Sequence, residues 1–158
     1  MIKAEKEFIT FMEKMCQMAG LDQLSSKIIA LVYISPEDMA MDEIAKKTGY
    51  SLPSISLKAN MLAQFGIISK TRKPNSKKYY LHMEKNIIDA TINQLVRKQQ
   101  NQLNYAKSEL PEILEKFRQE AKSEEDKKKL VVVEKYHGQV MRFDSIISEM
   151  IDMLKKIK

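Results

Sequence analysis

Between Glu43 and Glu84 lie forty consecutive residues without a single carboxylate. The same stretch, residues 44–83, carries Lys46, Lys47, Lys58, Lys70, Arg72, Lys73, Lys77 and Lys78, a formal charge of +8. Eight like charges with no acid among them resist burial, so any fold of this stretch must hold them at its surface. It is nevertheless no solvated tail. Ile55, Ala59, Leu62 and Phe65 follow one another at steps of four, three and three, the period of one helix face. The net charge of all 158 residues is +6, so this folded quarter of the chain accounts for the whole excess. A folded, acid-free basic surface is the electrostatic footprint of a polyanion-binding protein.

The local signals order the elements. Residues 3–19 place Phe8, Ile9, Met12, Met15, Cys16 and Ala19 on one wide helical face, and Gly20 stands where a left-handed cap ends such a helix. Ser25 or Ser26 is positioned to cap a second helix carrying the apolar run Ile28 to Ile34, which Ser35-Pro36 ends. Met39-Ala40-Met41 reads as a short extended piece. Asp42 is expected to cap a brief helix that closes at Gly49. Ser51 is an N-cap for the next helix, with Pro53 tolerated in its first turn and Gly66 at its end. The stripe Ile55, Ala59, Leu62 and Phe65 should be buried; Ser54, Ser56, Leu57, Lys58, Met61 and Gln64 lie opposite. Ile67 to Thr71 and Lys78 to His82 are β-rich and flank a Pro74-Asn75-Ser76 turn, which predicts a hairpin.

Helix, tight turn, capped helix and hairpin is the order of a winged helix-turn-helix. Small side chains near the start of the second helix let it sit deep in a major groove, and its free N–H groups favour phosphate. The expected contacts to nucleic acid are Ser51, Pro53, Ser54, Ser56, Leu57, Lys58 and Met61 on helix 52–65, with Lys70, Arg72, Lys73, Lys77 and Lys78 on the wing 67–82. Leu57 and Met61 suit thymine methyl groups. The segment DEIAKKTGYSLPSISLKANMLAQFGIISK resembles the DNA-reading core of MarR-type regulators. The matching residues are Ile44-Ala45, Gly49 with Ser51, Ser54 with Ser56, and Leu62 before Phe65-Gly66-Ile67-Ile68. A short wing followed by a long helical tail looks most like the GbsR branch of that family, archaeal members included. The resemblance covers residues 20–82 by motif and the remainder by architecture. It implies a homodimeric, sequence-specific transcriptional regulator that reads double-stranded DNA. Many MarR proteins carry an Asp-x-Arg wing motif, whereas this wing, Arg72-Lys73-Pro74-Asn75-Ser76-Lys77, holds no acid.

From Glu84 onward the periodicity is helical throughout. Ile88, Ile92, Leu95, Leu103, Ala106, Leu110, Ile113 and Phe117 share a face, with Pro111 expected to kink or restart the helix. The polar belt Gln99 to Gln102, with Asn104, interrupts that face; it reads as a solvated turn of a long helix or, alternatively, as a register-setting element. Ser123 with Asp126 resembles a capping box. Val133, Tyr136, Val140, Phe143, Ile147, Met150, Leu154 and Ile157 then alternate in steps of three and four, a heptad seam. The seam is expected both to pack against residues 86–121 and to form a dimer interface; with Phe8 and Met12 of the first helix, these eight are the expected dimerisation residues. The expected fold is mainly α: a winged helix over residues 20–83, with residues 1–19 and 84–158 forming a helical dimerisation region built on a long C-terminal hairpin.

Other chemistries find little footing. One cysteine excludes an internal disulfide, and Cys16 falls on an apolar stripe that suits core better than redox sensing. His82 and His137 stand apart from other ligand types, so no metal site is expected. No phosphate loop, catalytic triad or zinc signature is present, and neither an enzyme nor a cofactor is expected. The longest apolar run, Ile28 to Ile34, is far short of the ~20 residues that span a bilayer. A soluble cytoplasmic protein is expected. Its eleven methionines are core filler by default, or the lining of a pocket for a small-molecule effector. The alternative function is a winged-helix module that binds another protein.

Overall fold

The computed structural model describes residues 1–157. It is mainly helical, with a small antiparallel sheet and a winged-helix core. Helix α1 spans Lys3–Met18, α2 Gln23–Ile34, α3 Met41–Thr48 and α4 Leu52–Gln64. Strand β1 is Met39–Ala40, β2 is Ser69–Arg72 and β3 is Tyr79–His82, in sheet order β1-β3-β2. The tail holds α5, Ile87–Lys98; a π-helical turn, Gln99–Leu103; α6, Asn104–Glu120; and α7, Glu124–Ile157.

Two compact units result, Met1–Ile87 and Ile88–Lys158. In the first, Ile28, Ile44, Ile55, Leu62 and Leu81 have no solvent exposure and tie α2, α3, α4 and the sheet into one core. Each such side chain stabilises the fold by about 1.5–3 kcal/mol. Helix α1 lies on α2, with Ile9 buried, Met12 and Cys16 packed on the core, and Phe8 stacked on Tyr33 at 6.3 Å between ring centroids. Burial, with Glu13 nearby, pushes the Cys16 thiol pKa up, which disfavours the reactive thiolate.

The helix ends explain the turns. Gly20 and Gly49 adopt φ of 92° and 75°, conformations that cost glycine nothing. The cap of α2 is not Ser25 or Ser26 but Asp22, whose carboxylate accepts from the N–H groups of Leu24 and Ser25, both at 3.1 Å. The two serines are fully buried because each hydroxyl is used: Ser25 donates to Asp22 Oδ2 at 2.7 Å and Ser26 to the Asp22 carbonyl at 2.8 Å. Asp42 is likewise no cap; it lies inside the first turn of α3, behind Ala40. At the other end of α2, Lys85 donates to the carbonyls of Val32, Tyr33 (2.7 Å) and Ser35 (2.8 Å), while Tyr33 donates back to the Lys85 carbonyl at 3.0 Å. Burial holds the Lys85 pKa below the ordinary lysine value.

The tail is a helical hairpin. Leu103, Val140, Ile147 and Ile151 are its buried centre, flanked by Ile92, Leu95, Val96, Ala106 and Leu110. The helix runs through Pro111 without restarting, and the irregularity falls instead at Gln99–Leu103, the polar belt. There Gln99 donates to the Asp144 carbonyl and Oδ1, both at 3.2 Å, and to Ser148 Oγ at 2.8 Å. Lys107 meets Asp144 Oδ2 at 2.7 Å. These bonds fix the register of α6 against α7. Ser123 and Asp126 form the expected capping box at the start of α7, with Ser123 Oγ donating to Asp126 at 2.6 Å and accepting from its N–H at 3.0 Å.

Candidate nucleic-acid interface

Helix α4 begins at Ser51, whose hydroxyl oxygen accepts from the Ser54 N–H at 3.3 Å and lies 2.9 Å from the Ser54 hydroxyl. Ile55, Ala59 and Leu62 are fully buried against the core. Phe65, expected to complete that stripe, is 60% exposed. It is the C-terminal cap, one residue beyond the last turn of α4 that packs on the core. Opposite the buried stripe, Pro53, Leu57, Asn60 and Gln64 recur at steps of four, three and four, all exposed. Ser54, Ser56, Lys58 and Met61 flank this outward row and are half-buried. Asn60 was not among the expected contacts. The step pattern beginning at Pro53 identifies it.

The hairpin stands beside α4. Arg72 pairs with Tyr79 and Lys70 with Leu81 in the β2–β3 register, so these four share one face of the ribbon. Lys70 Nζ donates to Asn60 Oδ1 at 2.9 Å, which joins the hairpin to α4. The same ammonium lies 4.2 Å from the centroid of the Tyr79 ring. The Arg72 guanidinium lies 4.3 Å from it and donates to the Tyr79 hydroxyl at 2.7 Å. On the hairpin, Lys73 stands 4.6 Å from the Tyr80 ring. Asn75 takes φ of 62° at the tip, a left-handed position that asparagine tolerates.

The eight cations differ in their partners. Lys47 meets Glu43 at 3.1 Å, Lys58 meets Asp22 at 2.9 Å and Lys78 meets Asp42 at 2.6 Å. All three acids lie before the carboxylate-free stretch, so the fold returns acids that the sequence had kept apart. Lys58 therefore arrives already neutralised at the side of α4. Among the described residues Lys46, Lys70, Arg72, Lys73 and Lys77 have no carboxylate partner. Partial burial pushes the Asp22 carboxyl up, but hydrogen bonds from Ser25 and Lys58 outweigh it and hold the pKa at about 2. The hydrogen bond from Lys78 holds Asp42 below the carboxylate range and raises Lys78 in turn.

Ser51 at the cap and Pro53 and Leu57 on the outward row thus reach solvent, and Arg72, Lys73, Lys77 and Lys78 are exposed on the hairpin. A surface with donors, unpaired cations and no carboxylate on the outward row of α4 can bind phosphate and base edges. Elsewhere in this unit, a cleft of about 370 Å³ opens between α1, α2 and α3, lined by Lys6, Ile9, Glu13, Lys27 and Leu31 among others. Met1 is its one methionine, so it is not a methionine-lined pocket. Among the described residues no group of His, Cys, Asp and Glu is placed to hold a metal ion, and no helix is long and apolar enough to cross a membrane.

No protein-family model matches this sequence, and no curated protein matches it either. The fold does have a solved counterpart. A crystal structure described as a transcriptional regulator superposes with a TM-score of 0.70 at 14% identity, covering 97% of this chain and 99% of that one.

Proposed function

We propose that this protein is a homodimeric, sequence-specific DNA-binding regulator of transcription, of the MarR type and nearest its GbsR branch. Helix α4 reads the major groove, and the wing grips phosphates or the adjoining minor groove. The observation that carries this reading is the outward row of α4: Pro53, Leu57, Asn60 and Gln64 are exposed without a carboxylate among them, beside a hairpin bearing Arg72, Lys73 and Lys77. The solved regulator with the same fold supports it.

The dimer part rests on α7. Val140 and Ile147 are used inside the hairpin, whereas Tyr136, Phe143, Met150 and Ile157, spaced seven apart, are 39–67% exposed. Ile146 and Met153 lie beside them, 50% and 61% exposed. A single chain covers this row only in part, with Lys98 over the Phe143 ring at 5.1 Å, and a second copy offers a self-complementary partner. On α1, Phe8, Phe11, Met15 and Met18 are also exposed, and they offer the first unit an apolar surface of its own for pairing. Two reading helices would then meet successive major grooves roughly 34 Å apart. A small-molecule effector would act by changing that separation.

The test is titration of a labelled random duplex at low and high salt. Tight binding that weakens steeply with salt supports the reading; salt-independent or undetectable binding overturns it. A second reading, a winged helix that binds protein, is favoured by Leu57 and Phe65, which are 69% and 60% exposed on α4 and its cap. That reading predicts no duplex binding at any salt.

A further inference from the structure

Asn60 and Lys70 lie at the junction of α4 and the wing, and their hydrogen bond fixes which atoms of the amide face outward. We infer that the two form a positively charged reading pair, presenting donors, that selects guanine at one position of each half-site. The inference rests on α4 being the reading helix.

The argument begins with the contact itself. Lys70 Nζ and the Asn60 amide are 2.9 Å apart. An ammonium has three donors and no acceptor, so the amide atom facing it must be the oxygen. The amide nitrogen therefore points away from Lys70. An unconstrained asparagine presents oxygen and nitrogen side by side and matches adenine, which offers an amino donor beside the N7 acceptor. Here one of the oxygen's two lone pairs is taken by Lys70, and the ammonium beside it repels the hydrogens of a second donor. The groups favoured to meet a base edge are then the amide N–H and the spare N–H groups of Lys70, all donors. Guanine presents N7 and O6, two adjacent acceptors. Adenine would turn its own amino hydrogens toward a cation, cytosine offers only a donor, and thymine offers one acceptor beside a methyl group.

The cation is held in place. The Tyr79 ring lies 4.2 Å from Lys70 Nζ, and the Arg72 guanidinium stacks on the same ring at 4.3 Å while bonding its hydroxyl. Swinging Lys70 away would give up both its ring contact and its amide bond. Asn60 itself is exposed on the outward row of α4, midway between Leu57 and Gln64. Position, orientation and charge thus converge on one base edge.

Selection of bound sites from a random duplex library tests this. The wild type should enrich guanine over adenine about tenfold at one position of each half-site. Asn60→Ala should erase the preference at that position and leave the others. Lys70→Met frees the amide and should move the preference there toward adenine, while Lys70→Arg keeps guanine. Circular dichroism confirms that each variant is folded. Adenine at the Asn60-dependent position in the wild type, or an unaltered selection with Asn60→Ala, overturns the inference while leaving α4 as the reading helix. A wild type that retains no duplex overturns that reading as well.

Discussion

Two sets of lysine and arginine substitutions separate cations that are free to meet phosphate from cations already neutralised within the protein. One variant replaces Arg72, Lys73 and Lys77 by Ala; the other replaces Lys58 alone. None of the three wing cations has a carboxylate partner among the described residues, whereas Lys58 is 2.9 Å from Asp22. Each phosphate neutralised on duplex DNA contributes about −0.9 to the slope of log affinity against log salt. Three cations per protomer, six in a dimer, therefore flatten that slope by about 5 if all reach phosphate. Removing Lys58 should change it by less than about one unit, because its counter-charge is supplied by Asp22 rather than by DNA. Fluorescence anisotropy across roughly 50–300 mM salt measures both slopes, with thermal unfolding as the control for folding. An unchanged slope for the triple variant would remove the wing from the interface. A Lys58→Ala variant whose slope flattens like a wing variant would show that Asp22 surrenders Lys58 on DNA, and the distinction between paired and unpaired cations would fail.

Asp22→Asn keeps a capping residue but removes the charge, and it should cost about 1 kcal/mol at neutral pH once the 43% exposure of the Asp22 side chain is allowed for. Because the folded pKa of about 2 lies below the ordinary 3.8, that contribution is complete above about pH 4 and disappears as pH falls toward 2. Urea unfolding should give the wild type a steeper acid limb than the variant, and identical limbs would contradict the pairing. Lys85→Met leaves the carbonyls of Val32, Tyr33 and Ser35 without their shared donor and should destabilise the winged-helix unit by about 1–3 kcal/mol in denaturant titrations. Phe143→Lys with Met150→Lys should turn a sedimenting dimer into a folded monomer. Ile147→Ala, inside the hairpin, should instead lower stability by about 2–5 kcal/mol with assembly retained. Reversed outcomes for those two would exchange the roles of the two rows of α7.

Features set by residues close together were legible in the sequence. Gly20 and Gly49 end helices because their φ values suit glycine, and Ser51 caps α4 from three residues away. The stripe Ile55, Ala59 and Leu62 is periodic, and periodicity fixes a face. Features that depend on distant partners were not legible. Asp22 and Lys58 are thirty-six positions apart, as are Asp42 and Lys78, so nothing local announces either pair. The cap of α2 is hidden for a related reason: Asp22, Ser25 and Ser26 are all good caps by type, and the choice follows from burial of the serines. The polar belt was visible as an interruption, but its π-helical turn and its reach to Asp144 and Ser148 depend on α7. The heptad seam shows its apolar period without showing which partner covers it. Within one chain Val140 and Ile147 are covered and Tyr136 and Phe143 are covered only in part. Among the site residues, Ser51, Pro53 and Leu57 could be placed by counting turns from the N-cap, while Asn60 entered only once the outward row was known.

Footprinting with a methylating reagent that attacks guanine N7 in the major groove probes the account most directly. On a selected operator fragment, the wild-type protein should protect two patches centred one helical turn apart, roughly 10 base pairs, on one face of the duplex. A single patch, uniform protection, or no protection at protein concentrations that retard the fragment would contradict a dimer that presents two α4 helices to successive major grooves.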